Sequence, residues 1–321
     1  MMLLRKSLLL VLGGVVFFLI AGLVAVWAPD KPLQDLVRRW AGPPSQFLAI
    51  DGLQVHLRDE GPRDDPLPIV LLHGTSDSLH TWDGWAATLV TRRRVIRFDL
   101  AGFGLTGPAA DGDHSVPRHV RQVLAVLDNL GVQRAVLGGN SLGGHVAWAA
   151  ALAAPQRVAK LVLVDASGHA LPPQEVPVAL RLARVPGVRD LLSYFLPRGM
   201  VLASLRNVYG DASKVTPALV DRYYDMALRA GNRRALAHRV VDVSPDPSAR
   251  IRSLDLPTLI LWGGRDRLTP LAAGRRFADD IAGSSLVVFE ELGHLPHQED
   301  AQRTVRELLR FLDGGQVQRG R

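Results

Sequence analysis

The chain has 321 residues, 47% of them hydrophobic and 21% charged, with 30 Gly, 21 Pro and no Cys. That composition excludes a chain that is disordered, collagen-like or coiled-coil overall, and without Cys there is no disulfide framework, thiolate zinc site or cysteine nucleophile. The formal charge of +7 comes from 38 basic and 31 acidic residues, but no basic block is long enough to signal nucleic acid.

Arg5 and Lys6 precede an uncharged run over residues 7–28. At 1.5 Å per residue, 8–28 reaches roughly 30 Å, one hydrocarbon thickness. The apolar part of a cleaved signal is about 7–15 residues, and Pro29 after Val26-Trp27-Ala28 is a poor start for a mature chain. The run therefore predicts a retained single-pass anchor over 1–28 in a bacterial inner membrane. Arg5 and Lys6 would stay in the cytoplasm and the rest of the chain outside; Arg38 and Arg39 weaken that orientation without reversing it. Ala21 and Ala25 form a small-xxx-small pair that permits a homodimer but is too weak to assign one. In the following linker (29–45), Leu33, Leu36, Val37 and Trp40 make one helical stripe. Asp30 is placed to cap it, and Gly42-Pro43-Pro44 to end it. The stripe fits an interfacial helix with Trp40 at headgroup depth and, equally, a helix packed on the body.

From Phe47 the pattern changes. Strands are expected over 47–50 and 54–58, flanking an Asp51-Gly52 hairpin turn. Others are expected over 69–73, 95–99, 135–139, 161–165, 258–262 and 286–289, with helices over 82–90, 117–130, 142–154, 271–281 and 298–312. Near-continuous apolar strands alternating with helices read as a parallel sheet buried on both faces, so the fold class is α/β, with core segments at 46–168 and 251–321. Between them, 169–250 shows helical runs and no convincing strand, which reads as a cap over an active site. Residues 171–250 hold twelve basic against seven acidic side chains, most of the net charge. Residues 176–200 mix apolar residues with Arg181, Arg184 and Arg189, either a basic, greasy lid for anionic lipid or an ordinary helical cap.

Three elements carry chemistry. Gly139-Asn140-Ser141-Leu142-Gly143-Gly144 lies between an expected strand and an Ala-rich helix. A serine hydroxyl is a poor nucleophile and needs a base in reach and donors for the oxyanion. A sharp strand-to-helix turn would lift Ser141 above the sheet, the glycines removing side chains that would clash. The Leu142 amide then supplies one oxyanion donor, and the Thr75 amide, in His73-Gly74-Thr75, the second. His294, in Gly293-His294 after the last strand, is the candidate base, with His297 the bland packing alternative. His73 reads as structural and His145 as lining, while His169 opens the cap, where it is a less favoured candidate for lining the pocket. Asp266 is the favoured acid to fix the imidazole; Asp165, at the end of an earlier strand, is its rival. Gly102-Phe103-Gly104-Leu105-Thr106-Gly107 matches G-x-G-x-x-G, but Pro108 and Asp111-Gly112-Asp113 follow instead of a helix, so a dinucleotide site is rejected.

His73-Gly74, Asp99-Leu100-Ala101-Gly102-Phe103-Gly104, Gly139 to Gly143, Asp266 and Gly293-His294 stand in the order seen in α/β-hydrolases, and the resemblance covers about residues 46–313. The Asn of Gly-Asn-Ser-Leu-Gly-Gly and the N-terminal run look like bacterial family V lipases and membrane-anchored lysophospholipase/phospholipase A enzymes. The resemblance implies Ser141 as nucleophile, His294 as base and then acid, Asp266 as its partner, Thr75 and Leu142 as oxyanion donors, and no cofactor or metal. Serine in place of aspartate disfavours haloalkane dehalogenases and epoxide hydrolases. The expected activity is acyl-ester cleavage on membrane lipid. Its competitors are a soluble-substrate carboxylesterase or C–C hydrolase, a perhydrolase using the same triad, and a non-catalytic binding protein of the same fold.

Overall fold

A computed structural model describes residues 26–169, 194–241 and 248–314, together with Gly14, Phe17 and Gly22. The chain turns at Asp51-Gly52, both residues at positive φ (47° and 78°). A two-residue hairpin loop of that twist matches the right-handed twist of its strands, here β1 (Gln46–Ile50) and β2 (Leu53–Glu60). The remaining strands are β3 (Ile69–Leu72), β4 (Val95–Phe98), β5 (Ala135–Asn140), β6 (Val158–Val164), β7 (Thr258–Gly263) and β8 (Ser285–Phe289). They form one eight-stranded sheet of order β1-β2-β4-β3-β5-β6-β7-β8, parallel from β4 to β8, with β2 antiparallel to β4.

Successive strand residues point to opposite faces, and both faces are covered. Val70, Leu72, Leu137, Leu161 and Leu163 pack with Val123, Leu127, Val146 and Trp148 on one side. Ile69, Leu71, Val136, Val162, Leu259 and Leu261 pack with Trp82, Trp85, Val305 and Leu308 on the other. The helices that supply these layers are α2 (Asp83–Leu89), α3 (Val116–Asn129), α4 (Leu142–Ala153), α8 (Leu271–Asp280) and α10 (Ala301–Leu312). This double burial is why the strands read as unbroken apolar runs.

One expected helix, 298–312, is two. A short α9 (Pro296–Glu299) ends at Asp300, whose extended backbone breaks the helix and whose carboxylate caps α10 by accepting from Arg303 N. Between β6 and β7 the described residues contribute no strand to the sheet, only α5 (Arg198–Val208), α6 (Pro217–Leu228), α7 (Asn232–Val241) and short 3-10 turns. Most of the 176–200 lid segment lies outside the described residues.

The N-terminal run likewise lies almost wholly outside them, and among the described residues no helix is long and apolar enough to cross a membrane. The linker helix forms as α1 (Leu33–Trp40), but Pro32 and not Asp30 precedes it, with no side-chain cap. Its apolar stripe is spent on the body, where Leu36 is buried with Leu105 and Met226, and Leu33, Val37 and Trp40 pack around them. Of the two readings of that stripe, the packed helix is the one observed. Asp30 turns away, accepting from Arg233 and the Gly231 amide.

Candidate active site

The site is assembled at the C-terminal ends of β3, β5, β6 and β7, where a parallel sheet opens its crevice. β5 runs directly into α4 with Ser141 at the corner, held at φ 52°, ψ −116°. Such a conformation is costly for a residue with a Cβ and marks a functional turn. The turn closes because its neighbours lack side chains: a Cβ on Gly139 would fall 2.2 Å from the Gly143 backbone, and one on Gly143 2.2 Å from Leu72 O. Leu142 is the first residue of α4, so its amide has no carbonyl four residues back and is available to a ligand. The loop after β3 comes close by the same device: a Cβ on Gly74 would meet Asn140 Oδ1 at 2.8 Å and Ser141 Cβ at 3.2 Å. Thr75 and Ser141 therefore line one cavity.

His294 lines that cavity too. Its Nδ1 donates to Asp266 Oδ2 at 2.7 Å, so Nε2 is the ring nitrogen left out of that pair. The loop is bolted at several points. His294 N donates to Val208 O, Asn140 Nδ2 donates to His294 O, and Gly293 N donates to Glu299. Burial alone would raise the Asp266 carboxyl; the hydrogen bond and charge of His294, with the hydrogen bond from Thr269, outweigh it and hold the group below its ordinary value. The Leu268 and Thr269 amides and the Thr269 hydroxyl complete its shell.

Asp165, the rival acid, is in the same cluster, its ligand-type oxygen within 4.8 Å of those of Asp266 and His294. Complete burial, and then the charge of Asp266, push its carboxyl well above the ordinary range. Its Oδ1 accepts from Gly263 N, while Oδ2 is buried without a hydrogen-bond partner. A carboxyl whose charged form is disfavoured in this way is a poor metal ligand, so the trio reads as a hydrogen-bonded Asp266–His294 pair with a buried acid beside it.

The other histidines sort by contact. His73 is fully buried, its Nδ1 donating to Gly74 O and its Nε2 accepting from Leu100 N, which shapes the Gly74-Thr75 loop. His297 is fully buried on the Trp82 ring and hydrogen-bonded to Thr81; burial, and then His294, push its pKa well below the usual value. His145 stacks on Trp148, and His169 pairs with Asp280 and packs on Phe277. Neither lines the cavity, for His145 contrary to the sequence expectation. The Gly102 to Gly107 stretch is a loop wrapped around Asp99, whose carboxylate accepts from Leu105 N and Leu79 N.

The cavity holds about 410 Å³. Its walls are mainly apolar, with Leu196, Met200, Val201, Leu205 and Val208 from the helical insertion facing Leu268 and Leu295 of the core. Among the polar lining residues that went unnoticed in the sequence are Asp77, whose carboxylate accepts from Ser78 N and the Tyr223 hydroxyl, Tyr223 itself, and Arg233. They come from the loop after β3 and from α6 and α7, far apart in sequence, and carry no local motif.

Residues 68–301 match the family model of the alpha/beta hydrolase fold. Among curated relatives, a 2-hydroxy-6-oxononadienedioate/2-hydroxy-6-oxononatrienedioate hydrolase of Burkholderia vietnamiensis is 33% identical over 272 residues, 81% of this chain and 91% of the relative. A 2-hydroxymuconate semialdehyde hydrolase of Pseudomonas sp. (strain CF600) is 30% identical over 263 residues, 78% of this chain and 88% of its own. Among solved structures, a membrane phospholipase A described as a bacterial virulence factor is 26% identical, with a TM-score of 0.68, over 98% of this chain and 97% of that one.

Proposed function

Since the chain belongs to the alpha/beta-hydrolase family, we propose that it is a serine hydrolase cleaving a bond to a carbonyl carbon, a C–C bond or a small carboxylic ester, without a cofactor. The observation that carries the reading is the convergence of Ser141 and the Asp266-bound His294 on one cavity beside the Thr75 loop. In this mechanism Ser141 Oγ attacks the carbonyl carbon while His294 Nε2 takes its proton. The Asp266 carboxylate steadies the imidazolium, and the amides of Thr75 and Leu142 receive the oxyanion. Collapse of the tetrahedral adduct breaks the scissile bond, the leaving atom taking the electron pair and the proton from His294. Water, deprotonated by His294, then releases the acid from Ser141. The C–C version needs a leaving carbon next to a conjugated carbonyl, and the two curated relatives are named for such dienoate or semialdehyde substrates.

A second reading, acyl-ester cleavage on membrane lipid by an anchored enzyme, is favoured by one observation. The likeness to the membrane phospholipase A extends over 98% of the chain, and so into the N-terminal segment with its uncharged run.

The test measures turnover of a 2-hydroxy-6-oxo-dienoate, of p-nitrophenyl esters of graded chain length and of phospholipid vesicles by the full chain, with Ser141→Ala beside it. Turnover of the dienoate or of short esters, lowered on the order of 10³-fold or more in Ser141→Ala, supports the first reading. Fatty acid released mainly from vesicles moves the assignment to the second. Turnover undiminished by Ser141→Ala sinks both.

A further inference from the structure

Arg233, near the start of α7, is 9% exposed and lines the same cavity as Ser141 and His294. Its Nη2 donates to Asp30 Oδ1 at 2.6 Å, while Nε and Nη1 are buried and have no hydrogen-bond partner. Buried polar groups are nearly always paired, and a guanidinium with idle donors is the costlier kind of exception. Among the described lining residues of the large cavity it is the one Lys or Arg, in walls otherwise mostly apolar. The lining carboxylate that competes for it, Asp77, is already committed to Ser78 N and the Tyr223 hydroxyl. Its counter-ion, Asp30, sits on the N-terminal segment with a side chain 36% exposed, so water weakens its hold on the charge.

We propose that Arg233 is the subsite for an anionic group carried by the substrate, a carboxylate or a phosphate, while the apolar wall of the same cavity takes the rest of the molecule. A planar guanidinium suits both groups, because its N–H donors match their oxygens. The proposal rests on the hydrolase reading above and narrows it: the preferred substrate carries negative charge away from the bond that breaks. Asp30 takes part indirectly, orienting the guanidinium and competing with the ligand for it.

The experiment compares matched pairs that differ in charge alone. One pair is p-nitrophenyl hydrogen glutarate against p-nitrophenyl pentanoate, and the other a monoacylglycerol 3-phosphate against the monoacylglycerol. The readout is the ratio of kcat/KM, charged over neutral, in wild type, Arg233→Met, Arg233→Lys and Asp30→Asn. Wild type should favour the charged member of one pair by about 10-fold or more, and which pair does so distinguishes carboxylate from phosphate. Arg233→Met should collapse that ratio toward one, Arg233→Lys should keep part of it, and Asp30→Asn should raise it. A merely structural Arg233 would lower both members together and leave the ratio intact; that result, or a wild type preferring the neutral member of both pairs, overturns the proposal. If wild type turns over none of the four, the hydrolase reading has failed, and the subsite is judged by calorimetry. Glutarate or glycerol 3-phosphate binding to Ser141→Ala, weakened about 10-fold or more on adding Arg233→Met, supports it; no binding of either to Ser141→Ala overturns it.

Discussion

Asp165 and Asp266 are chemically identical side chains in one cluster, and their surroundings shift their carboxyls in opposite directions, Asp266 down and Asp165 up. Asp165 follows the end of β6 with φ 42°, wholly buried, and burial and then the charge of Asp266 push its carboxyl up. A carboxyl whose folded-state pKa is raised contributes stability that is full below its unfolded value and is lost as pH rises through the folded one. Asp165→Asn keeps an acceptor for Gly263 N but cannot ionise. Urea midpoints followed upward from about pH 4, near the unfolded carboxyl value, should therefore fall more steeply in wild type than in Asp165→Asn; parallel curves would mean that Asp165 ionises no differently in the folded protein. Asp266→Asn is the opposite case. Its amide would present N–H to His294 Nδ1 and favour the wrong tautomer, so kcat should drop on the order of 10³–10⁴-fold with little change in KM. Ser141, Asp266 and His294 were readable because each follows a strand inside a short Gly-rich stretch whose local chemistry betrays it. Thr269, which donates to Asp266 from three residues away, was not, since a threonine in a loop carries no such mark. Nor was Arg233, one of many arginines, singled out only by what surrounds it.

At the scale of elements, the break between α9 and α10 sets the site. A continuous helix over 298–312 satisfies the apolar periodicity, which is why the sequence suggested one; periodicity is blind to a buried acid that the neighbouring loops require. With the chain broken at Asp300, Glu299 turns inward, 8% exposed, and accepts from the amides of Gly210, Asp211 and Gly293. One carboxylate thus joins the loop after α5, within the helical insertion, to the residue beside His294. Glu299→Ala strands up to three amides, and at about 1–3 kcal/mol for each group that water cannot reach, a loss of about 3 kcal/mol is expected. Glu299→Gln keeps an acceptor and should lose less than half of that. Since the loop carries His294, Glu299→Ala should also lower kcat in protein that remains folded by circular dichroism; a stability loss with kcat unchanged would mean that the His294 loop keeps its place without it. Removing the Asp300 cap by Asp300→Ala should cost about 1 kcal/mol and leave kcat within about twofold, the effect expected of a helix end remote from the cavity.

Across the whole molecule, the segment before β1 works as a strap over the insertion. Ala28 N donates to Tyr194 O, Lys31 N to Leu228 O, and Ala230 N to Lys31 O. Asp225 of α6, 3% exposed, gathers Lys31 Nζ at 2.6 Å, Arg39 Nη1 at 2.8 Å and Trp40 Nε1 at 2.9 Å. Neither the packing of α1 nor this knot was legible, because one helical stripe of Leu, Val and Trp suits lipid and protein equally and the partner acid lies 185 residues away from Trp40. The two readings predict different behaviour on removing Asp225. Lys31 and Arg39 are half-exposed and can turn to water, whereas Trp40 Nε1 would lose its acceptor where water is scarce. Asp225→Ala should therefore destabilise by about 2–3 kcal/mol, and Asp225→Asn, which keeps an acceptor but drops the charge, by less. Loosening should also show locally: trypsin should cut after Arg38 or Arg39 faster in Asp225→Ala than in wild type, well below the temperature of global unfolding. Because the strap carries Asp30 and so touches Arg233, the same variant should shift KM for a charged substrate more than for a neutral one. Equal proteolysis and equal KM values would show that α1 is held by its apolar stripe alone, and that the N-terminal segment and the cavity are energetically separate.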